Sequence, residues 1–205
     1  LVGSEMCIRD RSMGGYLRPE MAVEHFSRIA DASDLPLICF NYPSSGNLTY
    51  PFETLLQMFE KIPSIKAIKD WSNDPMLHEK HIKTFQNLSN PVNVLTTHSS
   101  WLMSSLVMGA KGLLSGAGSV IASLQVDLFL AIKNNDLKTA QKINDKMYPL
   151  VQAFYSPPFL DMHNRMKETL VLLGLMEKAI VRPPLMKLGF KEITALEKAI
   201  KQSGI

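Results

Sequence analysis

The chain has 205 residues, of which 46% are hydrophobic and 20% are charged, and its formal net charge is +3. This length and hydrophobic content suffice for a domain with a sizeable core. The basic residues are spread along the chain, which argues against a nucleic-acid partner. No apolar run reaches the roughly 20 residues that a membrane helix needs. Cys7 and Cys39 suit neither a disulfide framework nor a metal site, so we expect a soluble, cytoplasmic protein.

The first segment of the chain, residues 1–12, fits poorly with the remainder of the sequence. It has neither a helical nor a strand period, and no apolar centre that would suit a signal peptide. We interpret residues 1–12 as a non-native or artefactual segment and leave them out of the fold prediction.

Strand-like and helix-like patterns alternate over residues 13–134. Short apolar runs typical of buried parallel strands are each followed by apolar residues at helical spacing. Strands are predicted at 35–40, 64–68, 92–95 and 111–114. Helices are predicted at 18–32, from about 50, at 75–86, at 101–108, and from a capping Ser119 to 133. This alternation is typical of an α/β protein with a parallel sheet.

Residues 135–205 contain helical patterns only, at 136–154, 161–173 and 193–202. Proline pairs separate these patterns, at Pro157-Pro158 and Pro183-Pro184. A helical C-terminal domain is therefore predicted for 135–205.

Lys69 directly follows the strand predicted at 64–68. Alternation along a strand places Ile65, Ala67 and Lys69 on one face. Burial disfavours the charged form of a lysine, and a neutral amine can attack a carbonyl carbon to form a Schiff base. Lys69 is therefore a candidate nucleophile. The residues alone leave open the alternative that it marks the strand end and lies in solvent.

Three segments carry a resemblance to a known family: LPLICFNYPSSGN at 35–47, SIKAIKDWS at 64–72 and GAKGLLSGAGSV at 109–120. Their order and spacing resemble the dihydrodipicolinate synthase and N-acetylneuraminate lyase family of class I aldolases. The resemblance implies a (β/α)8 TIM barrel followed by a small helical domain. Residues 13–134 would then be the C-terminal half of the barrel, about strands five to eight, and 135–205 the helical domain.

The resemblance also implies a function. The chain would be a lyase or aldolase that acts on a 2-oxo acid of the pyruvate type, with Lys69 as the Schiff-base lysine. No metal or organic cofactor is implied, and the full-length protein would be a homodimer or homotetramer. The alternative is a degenerate member that binds a small carboxylic acid or a partner subunit without turnover.

The sequence departs from the family pattern at the proton donor. The family tyrosine that moves protons during Schiff-base formation and carbon–carbon cleavage falls at Phe40, which has no proton to give. Tyr42, two residues later, is a candidate replacement. Ser45 stands where dihydrodipicolinate synthases proper carry an arginine for the second substrate's carboxylate. Because serine cannot make a bidentate charged contact, this argues against that particular activity.

Further substrate-binding candidates lie in two loops. Ser44 and Ser45 would hydrogen-bond a hydroxylated substrate, although turn chemistry explains these serines equally well. The resemblance implies that Leu114 and Ser115 line a wall near the substrate carboxylate.

Three histidines complete the set of candidates. His98, at a predicted strand end, is a candidate base, although a polar loop residue is the favoured interpretation. His78 and His81 share one helix face. Because no further metal ligands are in register with them, we predict no metal site and interpret both as solvated.

Overall fold

The structure is a computed structural model that describes residues 18–43, 49–97 and 99–205. The segment 1–12 lies outside the described residues. The described residues divide into two compact units. The first comprises those before residue 98 together with Ser104–Leu114, and the second comprises Ser99–Met103 and Ser115–Ile205. The boundary predicted between residues 134 and 135 stays a prediction.

A parallel sheet of four strands forms the centre of the first unit, in the order β1-β2-β3-β4. The strands are β1 (Leu37–Asn41), β2 (Ile65–Asp70), β3 (Asn93–Thr96) and β4 (Gly112–Leu113). Adjacent residues such as Cys39 and Phe40, or Ala67 and Ile68, point to opposite faces and are all buried, which explains why the strand segments are nearly continuous apolar runs. Because the strands are parallel, their carboxyl ends lie at one edge of the sheet.

Strand β2 is longer than its sequence pattern predicts. The pattern ends at Ile68, but the ladder continues, pairing Lys69 with Phe40 of β1 and Leu95 of β3. The amide of Trp71 then donates a hydrogen bond of 2.9 Å to the carbonyl of Asn41. Lys69 is therefore held within the sheet.

Helices alternate with the strands of this unit, and the first of them precedes β1. They are α1 (Pro19–Asp31), α2 (Phe52–Lys61), α3 (Pro75–Phe85) and α4 (Leu102–Met108), of which the residues from Ser104 onward belong to this unit. Helix α3 begins where Asp74 caps it, because this carboxylate accepts hydrogen bonds from the amides of Met76 and Leu77 at 2.9 and 3.1 Å. Pro75 suits the first helical position, where no amide hydrogen is needed. The cap thus fixes which residues of α3 face β2.

The second unit is built around four helices. They are α5 (Gly118–Lys133), α6 (Leu137–Phe154), α7 (Met162–Leu172) and α8 (Phe190–Ser203). The predicted capping role of Ser119 is wrong, since α5 begins at Gly118 and its N-cap, Ala117, has no capping side chain. A backbone turn, in which the Gly118 amide donates to the Ser115 carbonyl at 3.2 Å, starts the helix instead. None of the described helices is long and apolar enough to cross a membrane.

Candidate functional site

Lys69 lies at the carboxyl end of β2 and is half-buried. Its nitrogen Nζ lies 4.2 Å from the centroid of the Phe40 ring, on the neighbouring strand. A cation near an aromatic face is attracted by the negative charge above the ring. The contact therefore holds the amino group beside an apolar surface at the carboxyl edge of the sheet.

Three aromatic rings gather on the face of the sheet that carries Lys69. The Tyr42 ring centroid lies 4.5 Å from that of Phe40 and 5.1 Å from that of Trp71. Phe40 and Trp71 stack with their centroids 6.3 Å apart. We call Phe40, Tyr42 and Trp71 the aromatic cluster. It brings the predicted residues Phe40 and Tyr42 together and adds Trp71, which the sequence analysis missed although it follows Lys69 by two residues.

Asp70 points to the opposite face of the sheet and is completely buried. Its oxygen Oδ1 accepts a hydrogen bond of 2.9 Å from the amide of Ser72. Its oxygen Oδ2 bonds the Nδ1 atoms of His78 and His81, at 2.7 and 2.8 Å. His78 reaches onward through Nε2 to the hydroxyl of Ser105, at 2.7 Å. Asp70, His78, His81 and Ser105 form what we call the carboxylate–imidazole network.

This network shows that the prediction of two solvated histidines is wrong. His78 is 0% exposed and His81 is 1% exposed. The physical reason is that the helix face they share is turned toward β2, where a buried carboxylate accepts from both rings. Buried polar groups need such partners, since an unpaired one costs free energy.

The charge of Asp70 is stabilised inside the protein. Burial by itself would raise the pKa of this carboxyl, but the hydrogen bonds from His78 and His81, together with the electrostatic influence of the two rings, more than offset burial. The pKa of Asp70 is therefore held well below its usual value of 3.8. An ionised carboxylate only accepts hydrogen bonds, so each imidazole donates through Nδ1.

The Asp70 network predicts how stability depends on acid. A carboxyl whose pKa is lowered by folding stabilises the folded state above its unfolded pKa, and this contribution is lost as the pH falls. The free energy of unfolding should fall between about pH 6 and about pH 3, and Asp70→Asn should make this fall smaller by about 1 kcal/mol. Urea unfolding of the wild type and of Asp70→Asn at about pH 6 and about pH 3 measures this difference in the free energy of unfolding. An equal fall in both proteins would contradict the prediction.

Ser115 lies in the second unit, in a cluster of polar side chains. Its hydroxyl is 2.7 Å from that of Ser99 and accepts a hydrogen bond of 3.0 Å from Gln125. The hydroxyl of Tyr155 is 2.9 Å from that of Ser99. Burial raises the pKa of the Tyr155 phenol, and hydrogen bonds with its neighbours lower it by less. The phenol is therefore protonated at neutral pH and available as a hydrogen-bond donor.

Of the remaining predicted residues, the structure describes Leu114. This residue of the first unit is exposed, and its amide donates a hydrogen bond of 2.9 Å to the carbonyl of Thr96. Ser44, Ser45 and His98 lie outside the described residues. Across residues 18–43, 49–97 and 99–205, no group of three or more His, Cys, Asp or Glu side chains is arranged to hold a metal ion.

Comparison with known sequences points to one family. The family model described as Dihydrodipicolinate synthetase family matches residues 16–203. The chain is 30% identical to the 4-hydroxy-tetrahydrodipicolinate synthase of Corynebacterium aurimucosum over 198 residues, which cover 93% of the chain and 61% of that protein. It is 26% identical to the Helicobacter acinonychis protein of the same name, over 91% of the chain and 61% of that protein. The chain thus spans about 61% of the length of these curated relatives.

Solved structures share the fold. The dihydrodipicolinate synthase of Thermotoga maritima matches with a TM-score of 0.81 at 20% identity, over 92% of this chain and 62% of that chain. The enzyme of the same name from Aquifex aeolicus matches with a TM-score of 0.79 at 22% identity, over 92% of this chain and 62% of that chain. These likenesses confirm the predicted fold class, an α/β fragment of a TIM barrel followed by helices.

Proposed function

Because the chain belongs to the dihydrodipicolinate synthetase family, we propose that it is a lyase or aldolase that acts on a 2-oxo acid through a Schiff base on Lys69. The observation that carries the proposal is the position of Lys69. It lies at the carboxyl end of a parallel strand, with its amine beside the Phe40 ring. Barrel enzymes of this kind place their chemistry at the carboxyl ends of strands.

The reaction begins when the amine of Lys69 attacks the keto carbon of a pyruvate-type acid. The carbinolamine loses one water molecule and gives the imine. In cleavage, the bound compound is a 4-hydroxy-2-oxo acid, and a base takes the proton of its 4-hydroxyl group as the carbon–carbon bond breaks. The protonated imine accepts the electron pair of that bond, so the aldehyde product leaves and an enamine remains on the lysine. Protonation of the enamine carbon, followed by hydrolysis, releases the 2-oxo acid and restores the amine. The protonated imine serves as the electrophile, so the scheme requires no metal or organic cofactor.

The scheme needs a group that accepts the hydroxyl proton during cleavage and donates a proton to the enamine carbon afterwards, and Phe40 can do neither. Tyr42 is the proposed replacement, because its ring contacts Phe40 and its phenol can give and take a proton. Its ring also contacts Trp71, which helps to fix where the phenol can point.

Tyr42→Phe is expected to slow the release of 2-oxo acid by at least about 100-fold, since general acid–base groups contribute roughly 10²–10⁴-fold. The ring and its packing on Phe40 are kept, so only the phenol is removed. Steady-state rates measure the effect, with Tyr148→Phe as the control, because Tyr148 is an exposed tyrosine of α6. Unchanged rates in Tyr42→Phe would remove Tyr42 from the mechanism.

The substrate contacts, the assembly and the domain bounds are proposed from the family resemblance. Substrate contacts are assigned to Ser44, Ser45, Leu114 and Ser115. The protein at the length of its relatives is proposed to be a cytoplasmic homodimer or homotetramer. Residues 13–134 are proposed as barrel and 135–205 as a helical domain.

A second candidate function is a family member that binds a small carboxylic acid or a partner subunit without turnover. Phe40 favours it, because the family's tyrosine hydroxyl is missing at this position. Imine formation separates the two functions only in part, since a protein can form the imine and still fail to turn over.

Retro-aldol turnover tests the proposed function. A panel of 2-oxo sugar acids is offered, and released pyruvate is followed with lactate dehydrogenase and NADH. The assay is run on the 205-residue chain and on a form that has the full length of its relatives. Pyruvate release supports the lyase. Binding of pyruvate without release from any compound of the panel supports the second candidate.

A further inference from the structure

Asp70, which directly follows the proposed nucleophile Lys69, takes part in a hydrogen-bonded turn at the end of β2. Oδ1 of Asp70 accepts from the amide of Ser72, which closes a tight turn over Trp71. The Trp71 amide donates to the Asn41 carbonyl at 2.9 Å, which fixes the same turn to β1. These two hydrogen bonds therefore restrain the backbone that directly follows Lys69.

The carboxylate also joins β2 to α3. His78 and His81 are separated by one helical turn, and both donate to the same oxygen of Asp70. The Asp74 cap sets where α3 begins, so it also sets the position of both imidazoles. The Ser105 hydroxyl extends the connection to α4. The end of β2 thus has a fixed position relative to two helices of its unit.

The surroundings of His81 indicate that packing alone does not explain the carboxylate–imidazole network. Its ring stacks beside those of Phe52 and Phe85, with centroid distances of 5.9 and 4.9 Å, and the two phenylalanine centroids are 5.3 Å apart. Its Nε2 atom has no hydrogen-bond partner among the described residues. A phenylalanine would suit this apolar stack better, and burying a carboxylate with polar partners is a poor way to gain stability. What the imidazole adds is one Nδ1–H directed at Asp70.

We propose that Asp70, held by His78 and His81, is a positioning residue for Lys69. Its carboxylate fixes the last residues of β2 and the turn after them, so that the amine of Lys69 and the ring of Trp71 meet the 2-oxo acid in a reactive arrangement. Asp70 does not touch the substrate, since its side chain lies on the other face of the sheet. The inference rests on the proposed function of Lys69.

Three substitutions separate positioning from stability. Asp70→Asn keeps the shape but removes the charge. His81→Phe keeps a ring in the apolar stack and removes the Nδ1 donor. His81→Asn keeps a donor near the Nδ1 position and loses the ring. Lys83→Ala, at an exposed site of α3, is the control.

The test is the rate of borohydride-trapped pyruvate adduct at Lys69, measured over a range of pyruvate concentrations. Asp70→Asn should lower the maximal rate at least about 10-fold, because displacement of a reacting group by about 1 Å can cost roughly 100-fold. The half-saturating pyruvate concentration should stay within about threefold and the final yield of adduct should be unchanged. Lys83→Ala should behave as the wild type.

The His81 pair provides the sharper comparison. His81→Phe should slow trapping and be the more heat-stable of the two, whereas His81→Asn should trap near the wild-type rate and be less stable. If the network had only a structural role, the rate of adduct trapping and the heat stability would fall together in these variants. That result, or a wild-type maximal rate in Asp70→Asn, would overturn the inference. If Asp70→Asn does not fold, the His81 pair decides.

A second readout keeps the inference testable if pyruvate forms no adduct in the wild type. That outcome would count against the proposed function only. Competitive acetylation then compares Lys69 with Lys66, the exposed lysine of the same strand, by peptide mapping. Asp70→Asn should change the Lys69-to-Lys66 labelling ratio at least about threefold, since the amine's position and surroundings change. An unchanged ratio would overturn the inference.

Discussion

Lys69→Ala is expected to lower the release of pyruvate from a cleaved 2-oxo acid by at least about 1,000-fold, to the background of the assay. The amine forms the bond through which the electrons of the carbon–carbon bond are withdrawn, and alanine offers no atom that can replace it. The contacts within the aromatic cluster do not involve Lys69, so we expect them to remain. The substitution should therefore remove the chemistry and leave the fold.

Lys66 provides a matched control for this experiment. It lies on the same strand and is exposed, whereas Lys69 is half-buried. Lys66→Ala should therefore retain pyruvate release within about twofold of the wild type. If Lys69→Ala retained more than about one tenth of the wild-type rate, the covalent role of Lys69 would be wrong.

Arg165→Met is expected to lower the free energy of unfolding of the second unit by about 3–5 kcal/mol. Arg165 of α7 is 1% exposed and makes bonds of 3.0 and 2.7 Å to Glu192 of α8. Its guanidinium also donates to four carbonyls, that of Phe154 at the end of α6 and those of Ser156, Pro157 and Pro158 in the loop that follows. Methionine fills similar space but leaves these acceptors without their donor, and such losses are costly when buried.

A comparison variant separates the ion pair from the loop contacts. The side chain of Glu192 is 35% exposed, so water can solvate it when its partner is lost. Glu192→Gln should therefore cost only about 1 kcal/mol. Urea denaturation followed by circular dichroism measures both variants. Equal losses would mean that the ion pair, rather than the carbonyl contacts, carries the effect.

The order of helices and strands could be predicted from the sequence, because hydrophobic residues recur regularly at helical spacing or form continuous runs. Runs such as Leu35–Phe40 are apolar at almost every position, as buried parallel strands require. Lys69 could be singled out for the same reason, since a lysine stands out at the end of an apolar strand. Trp71 could also be predicted as a neighbour of Lys69, because strand alternation places positions 69 and 71 on one face.

The carboxylate–imidazole network could not be predicted from local pattern. His78 and His81 look like surface residues unless a buried acceptor faces them, and Asp70 lies beyond the strand predicted at 64–68 because the apolar run stops at Ile68. A partial signal was present, since His78, His81, Ile82 and Phe85 share one helix face, as a core-facing stripe does. The pairing of β2 with its neighbours extends the strand to Asp70. This extension places the carboxylate where both histidines can donate to it.

The most direct test of the central claim is borohydride reduction in the presence of pyruvate, read by intact mass and peptide mapping. It is performed on wild type, Lys69→Ala and Lys66→Ala, in the 205-residue chain and in the form lengthened to the span of its relatives. We expect one pyruvate adduct, located at Lys69, in wild type and Lys66→Ala and none in Lys69→Ala. A folded wild-type protein without an adduct, or with its adduct on another lysine, would contradict the assignment of Lys69 as the Schiff-base lysine.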